Sequence, residues 1–240
     1  MAFPFDASLH AWTWLSVSGL IGFVAGDYFL FKSYPIISSR IAMVIMTLVP
    51  PITAFLGWLI MDEILSLLHF LGMILVIGGI IMVVLSRSKN KNGLKFSYPI
   101  KGILFAFLGT VGQAVGLVLS KYGMNDYDAF ASTQIRIIAG LIGFSFIVTY
   151  YKRWSKVVAT FQNKKAMKGI TIGSFFGPFL GVSFSLISIQ LIATGVASTI
   201  MAIVPVLIIA PSLIIFKQKI TLKEIIGAVI SVIGVAVLFQ

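Results

Sequence analysis

Cysteine is absent from this 240-residue chain. That excludes a disulfide framework, a thiolate metal site and a cysteine nucleophile. Charge is scarce as well: Asp, Glu, Lys and Arg make up 10% of the residues, against 59% hydrophobic. A soluble domain is about half apolar and about a quarter charged, so this composition could not cover a water-exposed surface. Histidine occurs twice, at His10 and His69. They are too far apart for the His-Glu-x-x-His pattern of a zinc hydrolase. There is no Gly-x-Ser-x-Gly elbow, and no Gly-rich loop ending in Lys-Ser or Lys-Thr; serine-hydrolase and ATP-driven readings lose their machinery. No Lys or Arg precedes the first apolar run, so it does not begin like a cleaved signal peptide. The chain is expected to be no enzyme, to need no cofactor or metal, and to bind no nucleic acid.

What is present is a succession of long apolar runs. Crossing the hydrocarbon core takes about 20 mostly apolar residues. Eight segments qualify: 12–31, 39–60, 67–86, 99–120, 130–150, 169–192, 197–216 and 222–239. They are apolar all round and too long for strands, which predicts an all-α integral membrane protein with eight transmembrane helices. Pro50-Pro51, Pro178, Pro205 and Pro211 lie inside these spans, where proline removes a backbone hydrogen bond and bends or breaks a helix. Glycines and prolines here serve either close helix packing or a transport site.

The +11 net charge sits between the apolar runs. With loops on alternating sides, sixteen of the eighteen Lys and Arg fall on one face. These run from Lys32 and Arg40, through Arg87 to Lys101 and Lys152 to Lys168, to Lys217, Lys219 and Lys223. The other face holds Lys121, and Arg136 lies within a span. The basic face is therefore read as cytoplasmic, with both termini on the opposite side.

Residues 19–85 recur at 174–240 without a gap, at an offset of 155. Gly22, Gly26, Pro50, Gly72 and Gly79 fall on Gly177, Gly181, Pro205, Gly227 and Gly234. Span 12–31 is the first and its copy the sixth. Five crossings separate them, so the copies run in opposite directions. Loop charge agrees: Asp62 aligns with Lys217, and Arg40 with Gly195. This is an inverted repeat, in which paired Pro or Gly interruptions point to a transport site. Spans 99–120 and 130–150 have no copy in the first half; their counterparts would fall at about −56 to −5. The expected organisation is a partial first repeat at 1–86, a basic cytoplasmic linker at 87–98 and a five-helix second repeat at 99–240.

These residues resemble a known family. Ile45 through Pro50-Pro51 to Asp62-Glu63 looks like the fourth helix and acidic exit of an EamA-type repeat. Phe70-Leu-Gly72 to Gly78-Gly79 looks like its fifth, and Ala197 through Pro205 to Gly234 is similar again. Span 99–120, with Gly102, Gly112 and Ser120-Lys121-Tyr122, resembles the first helix of a repeat, and Arg136 matches an Arg found early in the second. The resemblance is to the drug/metabolite transporter superfamily. It implies ten helices in two inverted repeats, here lacking the first two, a central cavity, alternating access and a peripheral last helix in each repeat. It also implies cytoplasmic termini, against the charge count.

Several polar residues stand inside spans. Asp27 is the one carboxylate well within a span. An ionisable group there costs about 3 kcal/mol or more on insertion scales and suggests function by default. Proton exchange and pairing with a substrate ammonium are one reading; a salt link to Lys32 or Arg40 is the other. Arg136 either attracts an anionic group or snorkels and pairs with Asp126 or Asp128. Gln113 and Gln190 either bind substrate or join helices. Tyr28 is a further cavity candidate, and Pro50 and Pro205 are candidates for bending or gating. Trp12, Trp14 and Trp154 read as interface anchors. The expected function is secondary, non-ATP transport of a small metabolite, amino acid or amphipathic compound across the membrane of a prokaryotic cell. A homodimer is left open, and a non-transporting membrane scaffold is the alternative.

Overall fold

A computed structural model describes residues 4–61, 66–87, 94–96, 98–191 and 221–238. Helices run in the order α1 (Leu9–Gly19), π1 (Leu20–Gly26), α2 (Asp27–Met46), α3 (Val49–Met61), α4 (Leu67–Val84), α5 (Ile100–Met124), α6 (Ala129–Tyr150), α7 (Trp154–Gln162), α8 (Lys164–Ser174), π2 (Phe175–Gly181), α9 (Val182–Leu191) and α10 (Leu222–Leu238). Among the described residues four helical runs are long and apolar enough to cross a membrane: Leu9–Met46, Ile100–Met124, Ala129–Tyr150 and Lys164–Leu191. The all-α expectation holds with one addition. A short antiparallel pair, β1 (Leu85–Arg87) and β2 (Leu94–Phe96), lies in the stretch read as a linker, in register Leu85↔Phe96 and Arg87↔Leu94. The expected span 197–216, with Pro205 and Pro211, and the Asp62-Glu63 exit lie outside the described residues.

The first two expected spans differ in their breaks. Helix runs unbroken from Leu9 past residue 31, with Pro35 inside it. It kinks at Ser38, whose φ of 66° and ψ of 154° are non-helical. Pro35 supplies no N–H to the preceding turn, which frees the backbone to turn there. The second span is itself divided. Thr47 caps α2, its hydroxyl bonding the Val44 carbonyl at 2.6 Å, and α3 starts at Val49. Pro50 and Pro51 thus occupy the first turn of α3, where a missing N–H is tolerated.

Two crossings organise the helices. The first is antiparallel, between α1–π1 and α5. Ser18, Gly22 and Gly26 face Ser120, Gly116 and Gly112 in turn: a Cβ on Gly116 would stand 2.8 Å from the Gly22 Cα, and one on Gly112 2.7 Å from the Gly26 Cα. Ser18 and Ser120 hydrogen-bond at 2.7 Å, and both reach the Gly116 carbonyl. Small residues at four-residue spacing permit this approach where lipid offers no hydrophobic drive for association.

The second crossing joins α4 to α10, the last helices of the two repeats. A Cβ on Gly79 would meet the Gly227 carbonyl at 2.5 Å, and one on Gly234 the Gly72 carbonyl at 2.9 Å. These contacts are one contact seen twice, since 72 and 79 become 227 and 234 under the offset. Between them, buried Ser231 donates to the carbonyl of Val76, the residue 155 positions before it. A residue facing its own equivalent marks a pseudo-two-fold axis, as in a self-complementary interface. As position rises along α4 the partner position falls along α10, so these helices are antiparallel and the repeats inverted.

Candidate functional site

The site grows from the first crossing. Both copies carry a π segment at the same place, since Leu20 and Gly26 shifted by 155 are Phe175 and Gly181. A π segment widens one turn by an extra residue and recurs at functional positions. Here π1 ends at Gly26, directly before Asp27. Gln113, the residue after Gly112 on α5, donates from Nε2 to Asp27 Oδ1 at 2.6 Å and to the Gly22 carbonyl at 3.2 Å. One amide therefore ties a carboxylate to the wall of the widened turn.

Arg136 reaches the same glycine from α6. A Cβ on Gly22 would stand 3.2 Å from Arg136 Nη2, so the guanidinium lies against the bare backbone. It stacks over Phe23 at 4.5 Å from the ring centroid, a cation–π contact that the dry surroundings strengthen. Its residue is 3% exposed, and its Nε has no hydrogen-bond partner among the described residues. The charges of Asp27 and Arg136 act on each other across this space. A carboxylate acceptor, an amide fork and a guanidinium with an unused donor thus converge around Gly22. Together they can grip a small polar solute or hold a proton.

The alternatives for these two charges take other forms. Arg40 pairs with Glu224 of α10 at 2.9 Å, both largely buried, and Tyr98 donates to the other oxygen of Glu224 at 2.6 Å. Lys32 donates to the Tyr28 hydroxyl and sits 4.1 Å over its ring. Asp128 caps α6, accepting from the Ala131 amide at 2.8 Å. Burial first, then the bond to Glu224, pushes the Tyr98 phenol up to about 12.

The remaining candidates fall elsewhere. Tyr28 is partly exposed and meets the Tyr151 hydroxyl at 3.2 Å. Gln190 is exposed and donates to the carbonyls of Tyr127 at 2.6 Å and Asn125 at 3.3 Å, fastening α9 to the α5–α6 turn. Pro50 is buried at the α2–α3 break; Pro205 lies outside the described residues. Phe23, which faces Arg136, carries no sequence signal among 20 phenylalanines. Glu224 had one: it is the only carboxylate after Asp128.

No curated protein matches the chain significantly. A family model does, over residues 2–85 and 100–240, nearly the whole chain and in two stretches. With apolar membrane-length helices and an inverted pair of repeats already in place, this multi-pass membrane protein belongs to the EamA-like transporter family.

Proposed function

We propose that this protein is a secondary transporter that moves a small metabolite, amino acid or amphipathic compound by alternating access. Asp27, Gln113 and Arg136 form its solute- or proton-binding point. One observation carries the reading: two ionisable side chains from different spans, Asp27 through the Gln113 amide and Arg136 directly, converge on a glycine in a π-widened turn. Membrane proteins retain such groups at a cost, and ion and substrate pathways are where they recur. Rocking of one repeat against the other about the α4–α10 axis would open the site to each side in turn. The sequence has no Gly-rich loop ending in Lys-Ser or Lys-Thr, which favours an ion gradient or the solute's own gradient as the drive. The plasma membrane of a prokaryote is the proposed location, the bilayer and a small solute the partners, and self-association into a homodimer is compatible.

Efflux from proteoliposomes tests it. Vesicles are loaded with a pool of amino acids, organic acids and amphipathic cations, and release is followed by mass spectrometry with and without an imposed pH gradient. The expected result is protein-dependent release of one chemical class, reduced at least about tenfold in Asp27→Asn, the scale of one lost charged hydrogen bond. Unchanged release and pH dependence in both Asp27→Asn and Arg136→Gln would sink the site assignment. A wild-type chain that releases nothing from any class would favour the scaffold reading instead.

A further inference from the structure

The segment between α6 and α8 is not used by the proposed transport site. At about 100° per residue, α7 places Trp154, Val157, Val158 and Phe161 within one arc about 100° wide, with Lys156 and Ala159 opposite. No residue of α7 is buried, and Trp154, Val158 and Phe161 are 46%, 57% and 65% exposed. Among the described residues it packs chiefly against α8. Six cations surround it, Lys152, Arg153, Lys156, Lys164, Lys165 and Lys168, and no Asp or Glu occurs between Asp128 and Glu224. The segment is held in place. Lys152 turns the chain with a φ of 52°, and Trp154 Nε1 donates to Thr149 Oγ1 at 2.9 Å, binding the start of α7 to the end of α6. Asn163 then caps α8, accepting from the Ala166 amide at 3.1 Å.

We infer that α7 is an interfacial helix that lies on the cytoplasmic leaflet and binds anionic lipid headgroups. Membrane-length helices precede and follow it, so it sits at the boundary of the bilayer that the chain itself spans. An aromatic apolar arc backed by lysines is the pattern that settles into the headgroup layer. Uncompensated positive charge selects an anionic surface, whose attraction is worth about a fivefold change in partition per Lys or Arg at low salt. The inverted repeat agrees. Within the stretch equivalent to 152–168, residues 1–13 carry no Lys or Arg, as expected of a loop on the other face.

The absence of cysteine makes the test clean. Nitroxide labels are placed on the full chain by Val158→Cys, on the apolar arc, and separately by Ala159→Cys, off it. The protein is reconstituted in phosphatidylcholine vesicles, with or without phosphatidylglycerol. Collisional relaxation by oxygen and by a water-soluble nickel chelate reads depth. The label at 158 is expected to meet oxygen and the label at 159 the nickel chelate, more strongly so with phosphatidylglycerol. Changing Lys156, Lys164, Lys165 and Lys168 to Gln should move the label at 158 toward water by about fivefold per cation. Equal water exposure of both labels would overturn the proposal. So would depth indifferent to phosphatidylglycerol, shielding of 158 in detergent from both reagents, or dipolar broadening from a second copy.

Discussion

Replacing Gly112 with alanine tests the crossing and the site together. The new Cβ would stand 2.7 Å from the Gly26 Cα, 3.0 Å from its nitrogen and 3.2 Å from the Ile21 carbonyl oxygen. All three are backbone atoms, so no side chain can swing away. Carbon atoms rest about 3.5–4.0 Å apart, so α5 must back away from π1 by about 1 Å. Gln113 is the next residue along α5. Its 2.6 Å bond to Asp27 would stretch toward about 3.6 Å, and its 3.2 Å bond to Gly22 beyond that, past the range of a hydrogen bond. Overpacking costs about 1–3 kcal/mol and a bond to a charged group contributes about 1.5–3 kcal/mol. The sum expected is about 3 kcal/mol, because relaxing the clash is what breaks the bond. Equilibrium unfolding of the full chain in mixed dodecyl-sulfate micelles measures it, with proteoliposome flux alongside. Gly78→Ala is the control: a Cβ there meets nothing within 4 Å, and its stability should move by less than about 0.5 kcal/mol. Wild-type stability in Gly112→Ala would refute the close approach, and lost stability with undiminished flux would separate the crossing from the site.

Three further outcomes follow from the same contacts. Gly79→Ala and Gly234→Ala, equivalent across the α4–α10 axis, should each destabilise by about 1–3 kcal/mol while Gly78→Ala does not; unequal losses in the same unfolding assay would count against the pseudo-two-fold axis. Glu224→Gln removes the negative charge facing the buried Arg40 guanidinium, which is 7% exposed, and should cost about 3 kcal/mol; the variant with Arg40→Met as well should recover much of that loss. Tyr98 keeps its proton to about 12 in the folded protein against 10.0 for a free phenol. The folded state therefore binds that proton more tightly, and stability falls as pH rises from about 10 to about 12; Tyr98→Phe should flatten this part of an alkaline unfolding profile.

The parts of the fold that follow from composition and periodicity were legible in advance: membrane helices, their order and the inverted repeat. The offset of 155 aligned Gly72 and Gly79 with Gly227 and Gly234, yet gave no hint that these glycines touch one another, since contact between distant helices leaves no local trace. The π segments were equally silent, because the same Gly-rich apolar residues suit an ordinary helical turn. Asp27, Gln113 and Arg136 were each conspicuous as polar residues in apolar spans, but their meeting was not. For Asp27 the nearest cations in sequence misdirected the search. Lys32 is five residues on, about 140° round the helix, and cannot face it; four residues separate Lys32 from Tyr28, and those two do meet. Arg40 lies beyond the Ser38 kink and finds Glu224, 184 positions away in the chain.

Symmetry and chemistry part company in this molecule, and the division suits a transporter. The backbone devices are duplicated: a π segment in each repeat and glycine contacts that map onto each other across α4 and α10. Two of the charges are not. Asp27 corresponds to Val182, and Arg40 to Gly195. Under the proposed mechanism, two inverted copies of one scaffold would offer two arrangements of similar energy, open to opposite sides, which is what alternating access requires. Under the proposed reading, the cluster around Asp27 would serve as a binding point reached from either side as the scaffold exchanges its halves. If each repeat carried its own aspartate, a second carboxylate would have to be held within the membrane at a further cost. Asymmetric chemistry on a symmetric frame avoids that cost while keeping both openings. Moving the carboxylate to the other copy, with Asp27→Val and Val182→Asp together, should therefore not restore flux, because Gln113 and Arg136 stay beside Gly22. Recovery of flux in that double variant would show that the frame, and not this cluster, selects the solute.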